Sequence, residues 1–318
     1  MTDEIDVVVE ARTRLAEDVL EFVLRPVAGG ALPAWEPGAH IDVAVGDVDT
    51  DRLVRQYSLC GDPADRTAYR IAVLRQPAGR GGSTWLHDRV VVGDKLTVCG
   101  PRNHFPLEEA PGYLFLAGGI GITPLLVMAR RVAAGSAEWS IHYGGRSRAA
   151  MAYGEVLAEV AGGRLTLVPQ DESGLIDLTA ALDAVPPDTL VYCCGPESLL
   201  AAAEAACAAR GLRLRTERFA PKDVDPTAVD RAFTVTIAST GSEYLVPADR
   251  TIVDVLLAAG VDILTSCEEG TCGTCETAVV AGFPDHRDSA LTDEEKAAGD
   301  RLLPCVSRCL GSRLVLDL

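Results

Sequence analysis

The chain has 318 residues, more than one hydrophobic core usually serves, so two to three domains of roughly 100 to 200 residues each are expected. With 48% hydrophobic and 24% charged residues it sits near the average of globular proteins, which excludes a disordered, collagenous or coiled-coil chain. The 46 acidic and 29 basic residues leave a formal charge of −17, so a phosphate backbone would be repelled and no nucleic-acid partner is expected.

Met1 to Glu10 alternates Ile and Val with acidic residues and reads as a first strand, not as a secretory signal. Further β-branched runs follow at Val19 to Leu24, Ile41 to Val45, Leu53 to Leu59, Tyr69 to Arg75 and Leu96 to Val98. Six short strands separated by Gly, Pro and Asp, with one helical patch near Thr84 to Arg89, predict an antiparallel six-stranded β-barrel over residues 1–108. From Tyr113 the pattern changes. Apolar runs Tyr113 to Ala117, Ser140 to Tyr143, Leu165 to Val168 and Leu190 to Cys194 alternate with helix-length segments rich in Ala and Leu, which predicts an α/β parallel-sheet domain over 109–224. The stretch Tyr113 to Ala129 is too short for the roughly 20 residues of a membrane span, and no membrane association is expected. Ala220 to Arg231 is rich in Pro and Asp, as a linker is, and a third, α+β domain follows over 232–318. There Thr292 and Glu295 form a capping box, and Arg313 to Leu318 reads as a closing strand.

Ten cysteines are too few for a disulfide scaffold, yet three fall between Cys267 and Cys275, which points to a metal site in a reducing, cytoplasmic setting. Cys267-Glu-Glu-Gly-Thr-Cys272-Gly-Thr-Cys275, with Cys305 after a long gap, has the plant-type [2Fe-2S] spacing. A tight loop supplies three thiolates and a distant segment closes the cage, while Gly270 and Gly273 let backbone amides approach the sulfurs. Structural zinc usually takes two close pairs, and only one is present here. Cys309, four residues beyond Cys305, is a second candidate for the fourth ligand; Cys305 is favoured because Leu302-Leu303-Pro304 would bury it.

After the strand at Tyr113 comes Gly118-Gly119-Ile120-Gly121-Ile122-Thr123-Pro124 and then a helical stretch, so free amides and a helix dipole could face a pyrophosphate. Pro124 stands where a dinucleotide fingerprint has its third Gly, and no acidic residue ends the next strand to take a ribose hydroxyl, so a plain strand-to-helix turn is the competing reading. Cys194-Gly195-Pro196 closes another strand at the same expected sheet edge, and Arg146, Ser147 and Arg148 follow the strand ending at Tyr143, where an adenosine ribose would lie. In the barrel, Arg55-Gln56-Tyr57-Ser58 ends a strand and Gly79 to Thr84 precedes the helical patch. A ring, a hydroxyl and a helix-start turn could hold an isoalloxazine and its phosphate; a core tyrosine with an exposed arginine is the alternative.

RQYSL at 55–59, GGIGITP at 118–124, YCCGP at 192–196, ERF at 217–219 and CEEGTCGTC at 267–275 occur in that order, and over essentially its whole length the chain resembles the phthalate dioxygenase reductase and vanillate O-demethylase reductase family. The resemblance implies an FMN-binding barrel, an NAD-binding domain and a C-terminal β-grasp plant-type ferredoxin domain. By it, Arg55 meets the flavin phosphate, and Gln56, Tyr57 and Ser58 line the ring with backbone from Ala72, Val73 and Leu74. Gly81, Gly82, Ser83 and Thr84 hold the phosphate. Phe219 covers the other flavin face. Gly119, Gly121, Thr123 and Pro124 form the pyridine-nucleotide loop, with Cys194, Gly195 and Pro196 beside the nicotinamide. Cys267, Cys272, Cys275 and Cys305 hold the cluster. The absence of a long adenine-binding insertion before Tyr113 favours FMN over FAD.

The implied function is a reductase component that passes electrons from NADH through FMN and a [2Fe-2S] cluster to a terminal oxygenase of Rieske type, with a haem-thiolate monooxygenase as the alternative acceptor. NADPH stays open as donor, because Arg146 and Arg148 could meet a 2′-phosphate. A monomer is expected. The rivals are a flavin-based redox sensor without turnover and a flavin-only ferric or quinone reductase. Residues 233–318 hold 14 acidic and 6 basic residues, a surplus that would steer this domain toward a basic partner face.

Overall fold

The computed structural model describes residues 4–46, 53–221 and 230–318, which fall into two units, Met1–Glu217 and Arg218–Leu318. Most of the expected linker at 220–231 lies outside the described residues, at 222–229.

In the first unit, β-branched runs form β1 (Ile5–Ala16), β2 (Val19–Pro26), β3 (His40–Val45), β4 (Leu53–Ser58), β5 (Tyr69–Leu74) and β6 (Lys95–Arg102), with α1 (Gly82–Arg89) between β5 and β6. They make one antiparallel sheet in the order β4-β3-β6-β1-β2-β5, and a bridge between Leu59 and Ile71 joins its two edges into a barrel. Alternation puts Val7, Val9, Phe22, Leu24, Ile41, Val43, Ile71 and Val73 inside, each at most 1% exposed. Each fully buried apolar side chain of this size is worth about 1.5–3 kcal/mol.

The sheet that follows is wholly parallel: β7 (Gly112–Gly118), β8 (Glu138–Gly145), β9 (Leu165–Pro169), β10 (Leu190–Cys194) and β11 (Arg213–Glu217), in the order β11-β10-β7-β8-β9. It is covered by α2 (Ile122–Ala133), α3 (Gly154–Ala161), α4 (Gln170–Ser173), α5 (Leu178–Asp183) and α6 (Glu197–Ala208). The chain leaves β7 toward β8 and β9 and returns on the other side to β10. The order therefore reverses between β7 and β10, and a crevice opens at their carboxyl ends. One sheet face shares a core with the barrel, while Leu114, Leu116, Val191 and Leu200 pack on the other. Tyr192 is fully buried, yet its hydroxyl donates to Pro106 O (2.8 Å) and accepts from Glu108 N (2.8 Å), so no polar group is stranded.

The second unit holds β12 (Phe233–Ile237), β13 (Glu243–Val246), α7 (Ile252–Ala258), β14 (Thr277–Ala281), β15 (Pro284–Asp285), α8 (Asp293–Ala298), β16 (Arg301–Leu302), β17 (Arg308–Cys309) and β18 (Arg313–Leu316). Its sheet runs β13-β12-β18-β14-β16, with β12 and β18 parallel at its centre and α7 packed on β13. Both α7 and α8 open with full capping boxes, Thr251 with Asp254 and Thr292 with Glu295, the latter as the sequence predicts. Among the described residues no helix is long and apolar enough to cross a membrane.

Candidate functional site

At the crevice, Gly118 to Gly121 form a turn that runs into α2, whose N-cap is Gly121 and whose first turn has no side-chain cap. The positive end of its dipole lies at this loop, although the Ile122 amide already donates to Gly119 O. The two loops meet where side chains would collide: a Cβ on Gly121 would stand 2.2 Å from Cys194 O and 2.7 Å from Gly195 N, and one on Gly118 2.6 Å from Pro196 Cδ. Gly119 takes a left-handed φ of +54°. Close backbone approach explains these glycines, as a pyrophosphate cradle requires. Thr123 is 2% exposed and its hydroxyl donates to Ile120 O (3.0 Å), so it braces the turn, with buried Pro124 beside it.

Cys194 lies beneath Gly195 and Pro196, fully buried. Its register partner on the parallel strand β11 is Glu217, and Cys194 Sγ lies 3.9 Å from Glu217 Oε2. Burial lifts the Glu217 carboxyl to about 8, the Cys194 hydrogen bond opposing the shift, and burial also pushes the Cys194 thiol well up. A protonated carboxyl and a thiol thus share the sheet edge near neutral pH. The sequence motif contains Glu217, but only strand register discloses its partner.

The loop after β8 holds the expected ribose edge, and the structure adds acids there. Arg148 is paired with Glu172 of α4 through three contacts of 2.9–3.0 Å, and Asp171 N donates to Arg146 O (3.2 Å). Arg146 is exposed and Ser147 half-buried beside it. Carboxylates do stand near this edge; they arrive from the end of β9, one strand beyond the place a dinucleotide fingerprint puts its acid.

On the barrel, β4 carries Arg55, Gln56, Tyr57 and Ser58 beside the start of α1. A Cβ on buried Gly82 would lie 2.8 Å from Arg55 Cγ and 3.2 Å from its Nε, so the arginine stem fills the space glycine leaves at the helix N-terminus. Gly81 caps the helix at φ +92°, Ser83 Oγ accepts from Gln76 N (3.0 Å), and Thr84 Oγ1 donates to Gly81 O (2.7 Å). Gln56 Nε2 donates to Asp42 Oδ1 (2.8 Å), and burial raises the Tyr57 hydroxyl pKa. Ser58 Oγ is buried and meets no partner among the described residues, a group that a polar ring edge would satisfy. Ala72, Val73 and Leu74 pair with Glu21, Leu20 and Val19 of β2; the Val73 carbonyl also accepts from His87 Nε2 of α1 (2.9 Å), a residue the motifs did not single out. An arginine at a helix start that no side chain caps, beside an orphaned hydroxyl, fits a flavin mononucleotide. Phe219, in the second unit, is 47% exposed.

In the second unit the loop between α7 and β14 buries Cys267, Cys272 and Cys275, and the turn before β17 buries Cys305; each is at most 4% exposed. Cys267 shares thiol hydrogen bonds with Cys272 and Cys305, and Cys305 shares another with Cys275. Glu269 N donates to Cys267 Sγ (3.3 Å) and Thr274 N to Cys272 Sγ (3.5 Å). Gly270, at φ +71°, has no room for a Cβ, which would stand 2.6 Å from Val306 Cγ2. Four buried sulfurs with amides turned toward them fit a [2Fe-2S] cage. Cys309 is half-buried on β17 and its thiol donates to Arg313 O (3.5 Å).

Two family models match the chain, an oxidoreductase NAD-binding domain over residues 115–205 and a 2Fe-2S iron-sulfur cluster binding domain over 235–310. It is 44% identical to the phenoxybenzoate dioxygenase subunit beta of Ectopseudomonas oleovorans, over 95% of this chain and 94% of that one. It is 41% identical to the vanillate O-demethylase oxidoreductase of Pseudomonas sp. (strain HR199 / DSM 7063), over 99% and 100%. Among solved structures, phthalate dioxygenase reductase superposes with a TM-score of 0.69 at 35% identity, over 99% of this chain and 98% of that one. An intact type IV self-sufficient cytochrome P450 monooxygenase gives a TM-score of 0.92 at 42% identity, where 99% of this chain spans 41% of the longer one.

Proposed function

The chain belongs to the family of phthalate dioxygenase reductase and vanillate O-demethylase reductase, and on that premise we propose that it is the reductase component of an oxygenase system, using NADH, FMN and a [2Fe-2S] cluster. The observation that carries this reading is the presence in one chain of a side-chain-free cradle between β7 and β10 and of four buried free cysteines, Cys267, Cys272, Cys275 and Cys305. When bound, the flavin takes a hydride from the nicotinamide and releases its electrons singly to the cluster, which carries one at a time. Around that chemistry the residues bind, orient and exclude water. Arg55 and the start of α1 hold the phosphate, Ser58 meets the ring, and Gly118 to Gly121 hold the pyrophosphate. Cys194 and Glu217 keep a neutral, dry floor beneath the nicotinamide.

NADH over NADPH is supported by Glu172, which neutralises Arg148 at the ribose edge. A monomer fits the reading. For the acceptor, the acidic surplus of residues 233–318 favours an oxygenase component with a basic docking face; reduction of that partner should then slow steeply with added salt, and a flat response would remove the argument. A haem-thiolate monooxygenase is the second acceptor class, favoured by the likeness to the self-sufficient cytochrome P450.

The deciding experiment is an anaerobic NADH titration followed by visible absorbance and EPR, with the released flavin identified afterwards. Bleaching of flavin and cluster together, a reduced [2Fe-2S] signal and free FMN support the assignment. Flavin bleaching with no cluster signal would promote a flavin-only reductase, and no bleaching by NADH would promote a sensor without turnover.

A further inference from the structure

Tyr153, just before α3, has φ +60°, a left-handed conformation that a bulky side chain rarely adopts, and it is only 8% exposed. Its hydroxyl donates to Glu21 Oε1 of β2 (2.9 Å) and lies 3.2 Å from Cys60 Sγ, two residues beyond β4. Glu21 Oε2 in turn takes Arg70 of β5 (3.1 Å), and Arg130, in the last turn of α2, reaches Cys60 O (3.5 Å). Nearby, Glu17 N donates to Ala149 O (2.8 Å).

These contacts join particular parts of the first unit. On the barrel side they grip β4 just past Ser58, and β2 at Glu21, whose register partner on β5 is Ala72. On the sheet side they grip the far end of the helix that starts at the glycine loop, and the segment running on from Arg146 to Arg148. Both flavin-facing strands are thereby tied to both nucleotide-holding segments. A cavity of about 1270 Å³, lined among others by Glu21, Cys60, Arg70, Arg130 and Tyr153, opens beside these contacts. The core shared by barrel and sheet holds the halves together, but apolar contact is non-directional; hydrogen bonds with fixed geometry set the register.

We propose that Tyr153 is a positioning residue, whose hydroxyl sets how the nucleotide held by the β7 and β10 loops meets strands β4 and β5. The proposal rests on the reading of the chain as an NADH-oxidising flavoprotein. A small displacement of a near-attack geometry can cost up to about 100-fold in rate.

The test uses the full-length holoprotein. Tyr153→Phe keeps the ring and removes the hydroxyl. It should slow NADH-driven flavin bleaching in stopped flow by roughly 10- to 100-fold, weaken the long-wavelength absorbance of the NADH–flavin complex, and leave flavin content and cluster spectrum at wild-type values. Glu21→Ala removes the acceptor of the Tyr153 proton and should reproduce Tyr153→Phe, whereas Arg70→Ala, which removes only the ion pair on the other Glu21 oxygen, should behave as wild type; this pair decides the matter if Tyr153→Phe does not fold. A Tyr153→Phe protein with only a lower unfolding midpoint and an unchanged rate and absorbance would overturn the proposal, as would Arg70→Ala and Glu21→Ala slowing equally. A wild-type protein that NADH does not bleach would overturn the underlying functional reading instead.

Discussion

Replacing Glu217 by Gln should stabilise the protein, and increasingly so as the buffer becomes more alkaline. Burial beside Cys194 raises the Glu217 carboxyl from its ordinary 4.5 to about 8. A carboxyl raised in this way holds its proton more tightly in the folded state. Its contribution to stability is whole below pH 4.5 and is lost as the pH climbs through about 8. Linkage between those two values puts the penalty at about 1 kcal/mol at pH 5, about 3 kcal/mol at pH 7 and about 5 kcal/mol at pH 9. Gln has nearly the same shape and cannot ionise, so the variant escapes the penalty. For a unit of this size each kcal/mol moves the midpoint by roughly 2–4 °C, giving a rise of about 6–12 °C at pH 7. Scanning calorimetry of both proteins at the three pH values, without NADH, measures it. An equal shift at pH 5 and pH 9, or a less stable variant at pH 9, would refute the reasoning that the carboxyl is buried without a compensating cation.

Three further substitutions separate the parts of the site. Gly121→Ala forces a methyl against the backbone of Cys194 and Gly195, which cannot yield as a side chain tip would; a loss of about 1–3 kcal/mol and weaker NADH binding should appear in urea unfolding and binding titrations, and an unchanged NADH affinity would contradict the cradle. Cys272→Ser should abolish the reduced-cluster EPR signal and electron delivery to an oxygenase while NADH still bleaches the flavin; retained delivery would count against the cluster assignment. Phe219→Ala should change the rate of flavin bleaching by NADH and leave the cluster spectrum intact, and identical stopped-flow traces would remove Phe219 from the site.

Much of this was legible in the sequence because it is local. The cysteine spacing lies within nine residues, the glycine loop within seven, and strands such as Tyr113 to Ala117 announce themselves by unbroken apolar runs. Other features were hidden for a physical reason. Strand β11 reads Arg-Leu-Arg-Thr-Glu, an edge strand in which charged residues alternate with Leu and Thr, so no apolar run marks it, and with it went the partnership of Glu217. Glu172 escaped notice because it follows β9, and only strand order sets it beside the loop after β8.

By itself the sequence determined the three kinds of element pattern, the cysteine spacing, and the order of the motifs, all properties of spacing along the chain. The tertiary structure alone decided that a glycine at 121 must meet the backbone at 194, that Arg55 fills the space above Gly82, and that Tyr153 reaches Glu21 across 132 positions of sequence. Spacing is inherited directly from the order of residues, whereas juxtaposition depends on strand register and on which faces share a core, and these are settled only when the whole chain has packed.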